Sequence, residues 1–530
     1  MLRVPSHNVI AGARVVDGTG KPAEVLDVFI TDGLIDDVRP HSDSHPGRRV
    51  VDATGLTLTP GFIDVHSHGD NAPLLETDDT SKILQGVTTE VVGNCGFSLG
   101  PTTPANKQQL IQYFEGMFPT PFDVGFTFAD LLQHTDRRGY VTNYAPLVGH
   151  NALRIAAMGM DRRAPTKSEL EAMQSMVDEA IASGAFGLST GLIYPPGAYS
   201  QTDEIATLAK RLPPNCIYTS HIRGEASTSM QALSEAIEIG KASGRRVQIS
   251  HHKAMGSKHW GKSAESLALL EDARRIGVDV WQDVYPYDAS ATVLKAVLPQ
   301  EFHEGGTEAT LARLKDPQQL ARLQKMLESD SDEFESFVSL AGYDRIIIAS
   351  TESRRYEGRS LTEIARETSS SPFEALVHVL VSERLKAAII FYAIDESDVE
   401  RIVRDEHTVI GTDGAAPGLP GKHHPRTYGT FPRVLSRYVR ERRALSLERA
   451  VQKMTSVPAT IFRLRARGTI AQGQVADLVA FDANSISDDL DYGDPRRAPQ
   501  GIAWVMVNGH RVVEGNKLVG GRQGVRLTPA

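Results

Sequence analysis

Two histidines one residue apart, His66 and His68, end the stretch Pro60-Gly61-Phe62-Ile63-Asp64-Val65-His66-Ser67-His68. Phe62 to Val65 is a short, largely apolar run entered by a Pro-Gly turn, which predicts a buried strand ending in polar residues. Residues two apart on a strand face the same side, so His66 and His68 project together from its C-terminal end. Two neutral imidazoles on one rigid edge suit a divalent metal such as zinc. With 17 histidines in 530 residues, chance supplies about half of one H-x-H pair, so the spacing alone does not identify a site. The other strand ends decide.

Strand-like runs recur at Phe62–His68, Thr89–Cys95, Ala145–His150, Ala185–Thr190, Ile217–His221, Val247–His251, Val278–Tyr285 and Thr408–Asp413. Between most of them lie helix-length stretches, such as Lys167–Ser183 after a Pro165-Thr166 entry and Ser227–Ala242. Eight strands alternating with helices predict an α/β fold, a (β/α)8 TIM-like barrel, over residues 59–465. Chemistry in such a barrel sits at the C-terminal ends of the strands. Strand two ends in Cys95, strand five in His221, strand six in His251 and His252, and strand eight in Asp413. Each alone has an ordinary explanation: Cys95 as a small buried hydrophobe, Asp413 as a helix cap, His221 as a satisfied core imidazole. Together, metal-binding residue types close five of the eight strands, and that joint pattern predicts a metal centre.

The elements around the barrel follow from texture. Residues 1–58 hold short strand-like runs (Asn8–Ile10, Ala13–Val16, Val25–Ile30, Leu34–Val38) separated by Asp-Gly and Gly-Lys-Pro turns. Residues 466–530 read the same way, with runs at Gly468–Ile470, Asp477–Phe481, Ala503–Val507 and His510–Val513 and a hairpin signal at Asn508-Gly509. Neither end has enough strands for a stable sheet, so the two are expected to pair into one small β-sandwich domain. Residues 288–343 break the barrel rhythm with the charged, helix-prone run Glu308–Glu335, and predict an inserted subdomain at the barrel mouth.

Composition removes several function classes. The apolar fraction of 41% supports a large core, and a net charge of −9 is mild for this length. No Lys/Arg-rich block points to nucleic acid or a membrane surface, and no apolar run approaches the ~18 residues of a membrane span. The N-terminus lacks the apolar core and cleavage site of a secretory signal. Two cysteines far apart, Cys95 and Cys216, form no disulfide framework, and a cytoplasmic location is the default expectation. Oligomeric state is not legible.

The strand-end residues resemble the amidohydrolase superfamily, whose members carry H-x-H on strand one, histidines on strands five and six and an aspartate on strand eight. Binuclear relatives often bridge their metals with a carboxylated lysine on strand four; here that strand reads Gly187-Leu188-Ser189-Thr190-Gly191, without a lysine, while strand two supplies Cys95. That departure is similar to the N-acyl-D-amino-acid deacylases (D-aminoacylases). So are Gly149-His150-Asn151, Ser189-Thr190-Gly191-Leu192 with Tyr194-Pro195-Pro196-Gly197, His221-Ile222-Arg223, Ser250-His251-His252-Lys253 and Gly411-Thr412-Asp413-Gly414. The resemblance covers nearly the whole chain.

By that resemblance one Zn2+ is held tightly by Cys95, His221 and His251, while His66, His68 and Asp413 line a second, weaker position. The implied activity is zinc-dependent hydrolysis of N-acyl-D-amino acids by a metal-activated hydroxide, with Asp413 as general acid and base. Strand alternation lets only one of His251 and His252 face inward; the resemblance selects His251, and Lys253 then returns to the inner side. Lys253, Tyr194, Tyr285 and one of Arg354 or Arg355 are the implied contacts of a small N-acyl amino-acid substrate. The alternatives are a cyclic amide or imide hydrolase of the dihydroorotase or hydantoinase kind, disfavoured by the missing lysine, a deaminase, and a non-catalytic scaffold.

Overall fold

The computed structural model describes residues 7–118, 123, 125–329, 334–415 and 418–530. Positions 1–6 of the N-terminal segment and 330–333 of the expected insert lie outside the described residues. The central element is a barrel of eight strands: β1 (Phe62–Asp64), β2 (Val87–Val92), β3 (Asn143–Pro146, resuming at Val148–Gly149), β4 (Gly187–Gly191), β5 (Ile217–His221), β6 (Arg246–Ile249), β7 (Val280–Val284) and β8 (Thr408–Ile410). All successive pairs from β1 to β8 are parallel. These are the eight strands read from the sequence, and the fold is the expected (β/α)8 barrel with additions. Helices cover the outside: Lys167–Ala182 starts at a Thr166/Glu169 capping box, in which each side chain satisfies an otherwise unpaired backbone N–H. Among the described residues no helix is long and apolar enough to cross a membrane.

The ring closes between β8 and β1 by a different device. Oδ1 of the fully buried Asp64 accepts the backbone N–H of Thr412 (2.8 Å) and of His66 (3.1 Å), and its Oδ2 accepts the Thr412 hydroxyl (2.6 Å). Asp413 N–H then donates to His66 O at 2.7 Å, and Gly414–Ala415 pairs in parallel with Ser67–His68. Gly411 is required at this seam: a Cβ there would stand 2.6 Å from His66 Cβ.

Both chain ends contribute to one nine-stranded sheet, in the order 517–518, 510–514, 502–507, 478–481, 57–60, 7–15, 24–31, 34–40, with 49–52 beside 7–15. The two ends meet where Thr57–Pro60 runs antiparallel to Leu478–Phe481. Ile10, Val28, Leu58, Leu478 and Trp504 form its core. Asn508 and Gly509 both have positive φ in the turn joining 502–507 to 510–514, as a type I′ hairpin needs. Gly468–Ile470, expected as a strand, is irregular: Gly468 has a φ of 91° and Ile470 N–H bonds only the Asp17 carbonyl.

After β7 the chain leaves the barrel and builds a three-stranded antiparallel sheet, with Ala388–Phe391 between Ser290–Val293 and Ile346–Ser350. Only the first of these strands lies within residues 288–343; pairing carries the unit on to Phe391. Helices Gly306–Arg313 and Pro317–Glu328 occupy the charged run, and Phe302, Leu323, Phe337, Ile348 and Leu376 give the unit its own core.

Asp64→Ala leaves two buried backbone donors at the seam, Thr412 N–H and His66 N–H, unpaired, at about 1–3 kcal/mol each, and leaves the Thr412 hydroxyl only its 3.3 Å bond to His66 O. The variant is expected to unfold at a clearly lower temperature in a thermal melt; an unchanged midpoint would show that closure does not depend on this carboxylate.

Candidate metal centre

Three of the strand-end residues adopt a conformation that a strand does not provide. Cys95, His251 and Asp413 have φ values of 54°, 37° and 47°, in the left-handed region that non-glycine residues rarely enter. The kink at each position turns the side chain off the strand's alternation and toward the barrel axis. Around Cys95 the neighbouring motifs supply the support. Gly96 N–H donates to Ser189 Oγ at 3.0 Å, and the Ser189 hydroxyl donates to Gly93 O. Gly191 passes so close that a Cβ would lie 2.1 Å from the Cys95 carbonyl oxygen, which accounts for the Ser-Thr-Gly sequence on β4.

The six expected residues converge. Ligand atoms of Cys95, His221 and His251 form one group within 4.8 Å, and those of His66, His68, Cys95 and Asp413 form another. Cys95 Sγ is 3.2 Å from His66 Nε2 and 3.5 Å from His251 Nε2; His251 Nε2 is 2.8 Å from His221 Nδ1. His68 Nε2 is 3.1 Å from Asp413 Oδ1. Ligands about 2.0–2.3 Å from a tetrahedral zinc stand roughly 3.3–3.7 Å apart; the Cys95–His251 spacing falls in that range and Cys95–His66 close to it, while His221 and His251 stand nearer to each other.

The far side of the rings fits as well. His66 Nδ1 faces Asp283 Oδ1 at 3.2 Å, and His251 Nδ1 faces Glu225 Oε1 at 3.2 Å. On a neutral His66 ring, a carboxylate on Nδ1–H leaves the lone pair on Nε2, aimed at Cys95 Sγ, and orients the ring for metal binding; His251 Nδ1 stands between Glu225 and Lys253 Nζ. Asp283 also accepts His251 N–H (2.8 Å) and Gln248 Nε2–H (2.7 Å), so one buried carboxylate ties β1, β6 and β7 together. Burial pulls the His221 imidazole down to about 4, leaving it a neutral donor. Burial pushes the Cys95 thiol up to about 11, against the pull of His66; a cation would favour the thiolate. The donor set and its burial fit zinc.

Asp413 is acidic for a stated reason. Burial alone would raise its carboxyl, but Arg426 and the surrounding histidines outweigh that and hold it well below the usual carboxylate range. Arg426 Nη1 lies 2.9 Å from Asp413 Oδ2, its guanidinium stacks 4.5 Å above the Tyr285 ring, and its Nη2–H donates to Ala291 O.

A single cavity joins these groups. His68, Cys95, His221, His251 and Asp413 line its floor, and Ser290–Val293, Phe337, Ala388, Ile389 and Phe391 of the insert line the cover. Tyr194, Lys253 and Tyr285 line it, as expected. Lys253 is not free: its Nζ lies 2.5 Å from Glu225 Oε1 and 3.0 Å from His251 Nδ1. Arg354 and Arg355 are corrected. Neither lines the cavity, both side chains are exposed, and Arg355 lies over Tyr356; the loop after Ile346–Ser350 turns them to the surface. The arginine at the cavity is Arg426, 4% exposed.

The sequence reading also passed over Asp283 and Glu225. A carboxylate inside the apolar strand Val280–Val284 was the available signal for the first. The signal for Glu225 was its place four residues beyond His221. His252, by contrast, points outward, with Nε2 2.8 Å from Ser266 Oγ on a covering helix. Glu335 of the insert clamps the Glu225 loop by accepting N–H groups of Glu225 (2.7 Å), Ala226 (3.1 Å) and Thr228 (2.8 Å).

Comparison with known proteins agrees with this geometry. The chain is 35% identical over 523 residues to N-acyl-D-aspartate deacylase of Alcaligenes xylosoxydans xylosoxydans, covering 98% of this chain and 95% of that one. It is 36% identical over 523 residues to a D-aminoacylase of the same organism, covering 98% and 97%. Among solved structures, N-acyl-D-glutamate deacylase from Bordetella bronchiseptica, complexed with zinc and a phosphonate mimic of the tetrahedral intermediate, superposes with a TM-score of 0.82 at 35% identity, covering 98% and 99%. The amidohydrolase family profile matches residues 49–513, and the chain belongs to the amidohydrolase family.

Proposed function

We propose that this chain is a zinc-dependent hydrolase of N-acyl-D-amino acids, releasing a carboxylate and the free D-amino acid. The carrying observation is the convergence of Cys95, His221 and His251 beside Asp413 at the floor of one cavity. Those three would hold the tight ion, and His66, His68 and Asp413 line the adjoining position. An ion bound there would supply a water of near-neutral pKa and a Lewis acid for the amide carbonyl. Asp413, kept ionised by Arg426, accepts the proton of the attacking water on its carboxylate. It then returns that proton to the amide nitrogen as the C–N bond breaks. Asp283 and Glu225 hold the His66 and His251 rings in register. The buried guanidinium of Arg426, stacked on Tyr285, faces the substrate carboxylate, and Lys253, paired with Glu225, and Tyr194 are the further proposed contacts among the lining residues. Preference for the D enantiomer rests on the relatives.

In this reading 59–465 is the catalytic barrel, 1–58 with 466–530 the supporting β-domain, and the insert extends beyond 288–343 to Phe391. A cytoplasmic location is in keeping with Cys95 and Cys216 both being unpaired.

An amine-release assay over paired N-acetyl-D- and N-acetyl-L-amino acids, with metal analysis of the same sample, tests the whole reading. Turnover of the D series with zinc bound is expected; equal rates on both series, or none on either, would sink the assignment. Cys95→Ala is expected to lose both zinc and turnover, and unchanged zinc content would remove the tight site. Asp413→Asn is expected to retain zinc while kcat falls by about 10²–10⁴. Arg426→Met is expected to raise KM by about tenfold or more, whereas Arg354→Ala and Arg355→Ala leave it unchanged; the reverse pattern would return substrate binding to the exposed pair.

A further inference from the structure

The β-domain holds another convergence of metal-binding side chains, and none of its members lines the catalytic cavity. Asp27 on strand Glu24–Thr31, with His41 and His45 in the loop after Leu34–Pro40, each bring one ligand atom within 4.8 Å of the others. The two histidines stand in His41-Ser42-Asp43-Ser44-His45, an H-x3-H spacing found in zinc sites.

Asp27 is fixed by the fold. Its side chain is 1% exposed, its Oδ1 accepts Gly12 N–H at 2.8 Å and its Oδ2 accepts Ser42 N–H at 2.9 Å. Gly12 has a φ of 69° at the bulge in strand His7–Val15, and a Cβ there would stand 2.8 Å from Thr54 Oγ1 and 3.4 Å from His41 Cε1. Glycine at this bulge turns its N–H onto the carboxylate and leaves room for the imidazole.

The ordinary account of the cluster is a loop clasp, with His41 Nδ1 hydrogen-bonded to Asp27 Oδ1 at 2.8 Å. That account leaves His45 unexplained. Its side chain is 5% exposed and packs T-shaped against Phe29, and its Nε2 has no hydrogen-bond partner among the described residues. A buried polar atom left in that state costs about 1–3 kcal/mol. Nε2 lies 3.5 Å from Asp27 Oδ2, the separation of two donors about 2.0–2.2 Å from one tetrahedral ion. On the far side of the His41 ring, Nε2 faces Asp43 Oδ1 at 3.7 Å, a carboxylate behind a ligand ring. The His41 side chain is 35% exposed, so a fourth ligand place opens to solvent. Arg39 and Arg48 stand over Phe29, and each is paired with an aspartate, Asp37 and Asp36.

We propose that the Asp27 carboxylate, His41 Nδ1 and His45 Nε2 hold one divalent transition-metal ion such as zinc, with water in the fourth place. The ion replaces the proton on His41 Nδ1, which leaves to solvent, and both rings bind as neutral imidazoles. It pins the loop 41–47 to strand Glu24–Thr31. It takes no part in amide hydrolysis, and the inference stands whether or not the hydrolytic reading does.

The test measures zinc per chain after equilibrium dialysis at micromolar free zinc, on the untagged wild type, His45→Phe and His41→Ala. Each variant is expected to hold about one zinc fewer than wild type, with turnover of N-acetyl-D-amino acids unchanged. Adding His45→Phe to Cys95→Ala is expected to remove one zinc beyond those lost with Cys95, which separates this ion from the catalytic centre. Zinc content equal to wild type in His45→Phe or in His41→Ala overturns the proposal. Should a variant fail to fold, anomalous scattering from crystals of the zinc-equilibrated wild type decides. A zinc peak between Asp27, His41 and His45 supports the site, and no peak there overturns it.

Discussion

Closing a parallel sheet into a ring demands that its last strand find its first, and here no continuous ladder does so. Asp64 substitutes for it, its buried carboxylate accepting the N–H and hydroxyl of Thr412 across the seam and the N–H of His66 on its own side. Burial pushes that carboxyl up to about 7, against the opposing pull of Lys82 and of the Thr412 hydrogen bonds. The registration of Asp413 against His66 and His68 follows directly, because Thr412 and His66, the two residues Asp64 grips, adjoin them in sequence. Asp283 plays the same part on the other side, where β7 fixes the His66 ring and the backbone N–H of His251. The centre is therefore held by carboxylates behind the donors as much as by the donors themselves.

The fold was legible because its signals are local and repeated. Apolar runs bounded by Gly and Pro marked the eight strands, and five of them ended in residue types that bind metal. The direction of those side chains was not legible. Pattern reading assumes extended backbone, whereas Cys95, His251 and Asp413 are left-handed, a choice imposed by tertiary contacts such as those of Ser189 and Gly191. Arg354 and Arg355 misled for a related reason: nothing in a short polar loop states which way an inserted sheet will turn it. Arg426 lay beyond the eighth strand, outside the strand ends being read, and only packing over Tyr285 brings it to Asp413.

The insert is more than a cover. Its strand Ser290–Val293 lines the cavity, and Glu335 clamps the loop that holds Glu225. Glu225 in turn neutralises Lys253 and orients His251. A contact between insert and barrel thus reaches the His251 ring through two hydrogen-bonded steps. Cavity lining and ring orientation share one structural unit, so sequence change in the insert can alter both.

The left-handed turns at Cys95, His251 and Asp413 have a last consequence, for how an ion arrives. Each such residue costs of order 1–3 kcal/mol in backbone energy, and the cost is met by the hydrogen-bonded barrel around it. The receptor for the ion is thus shaped by the folded chain, in contrast to small zinc modules that order only around their metal. Loading becomes a docking event rather than a folding event. Nearly all of the coordination energy is then available as affinity, and the empty and loaded chains should share one backbone.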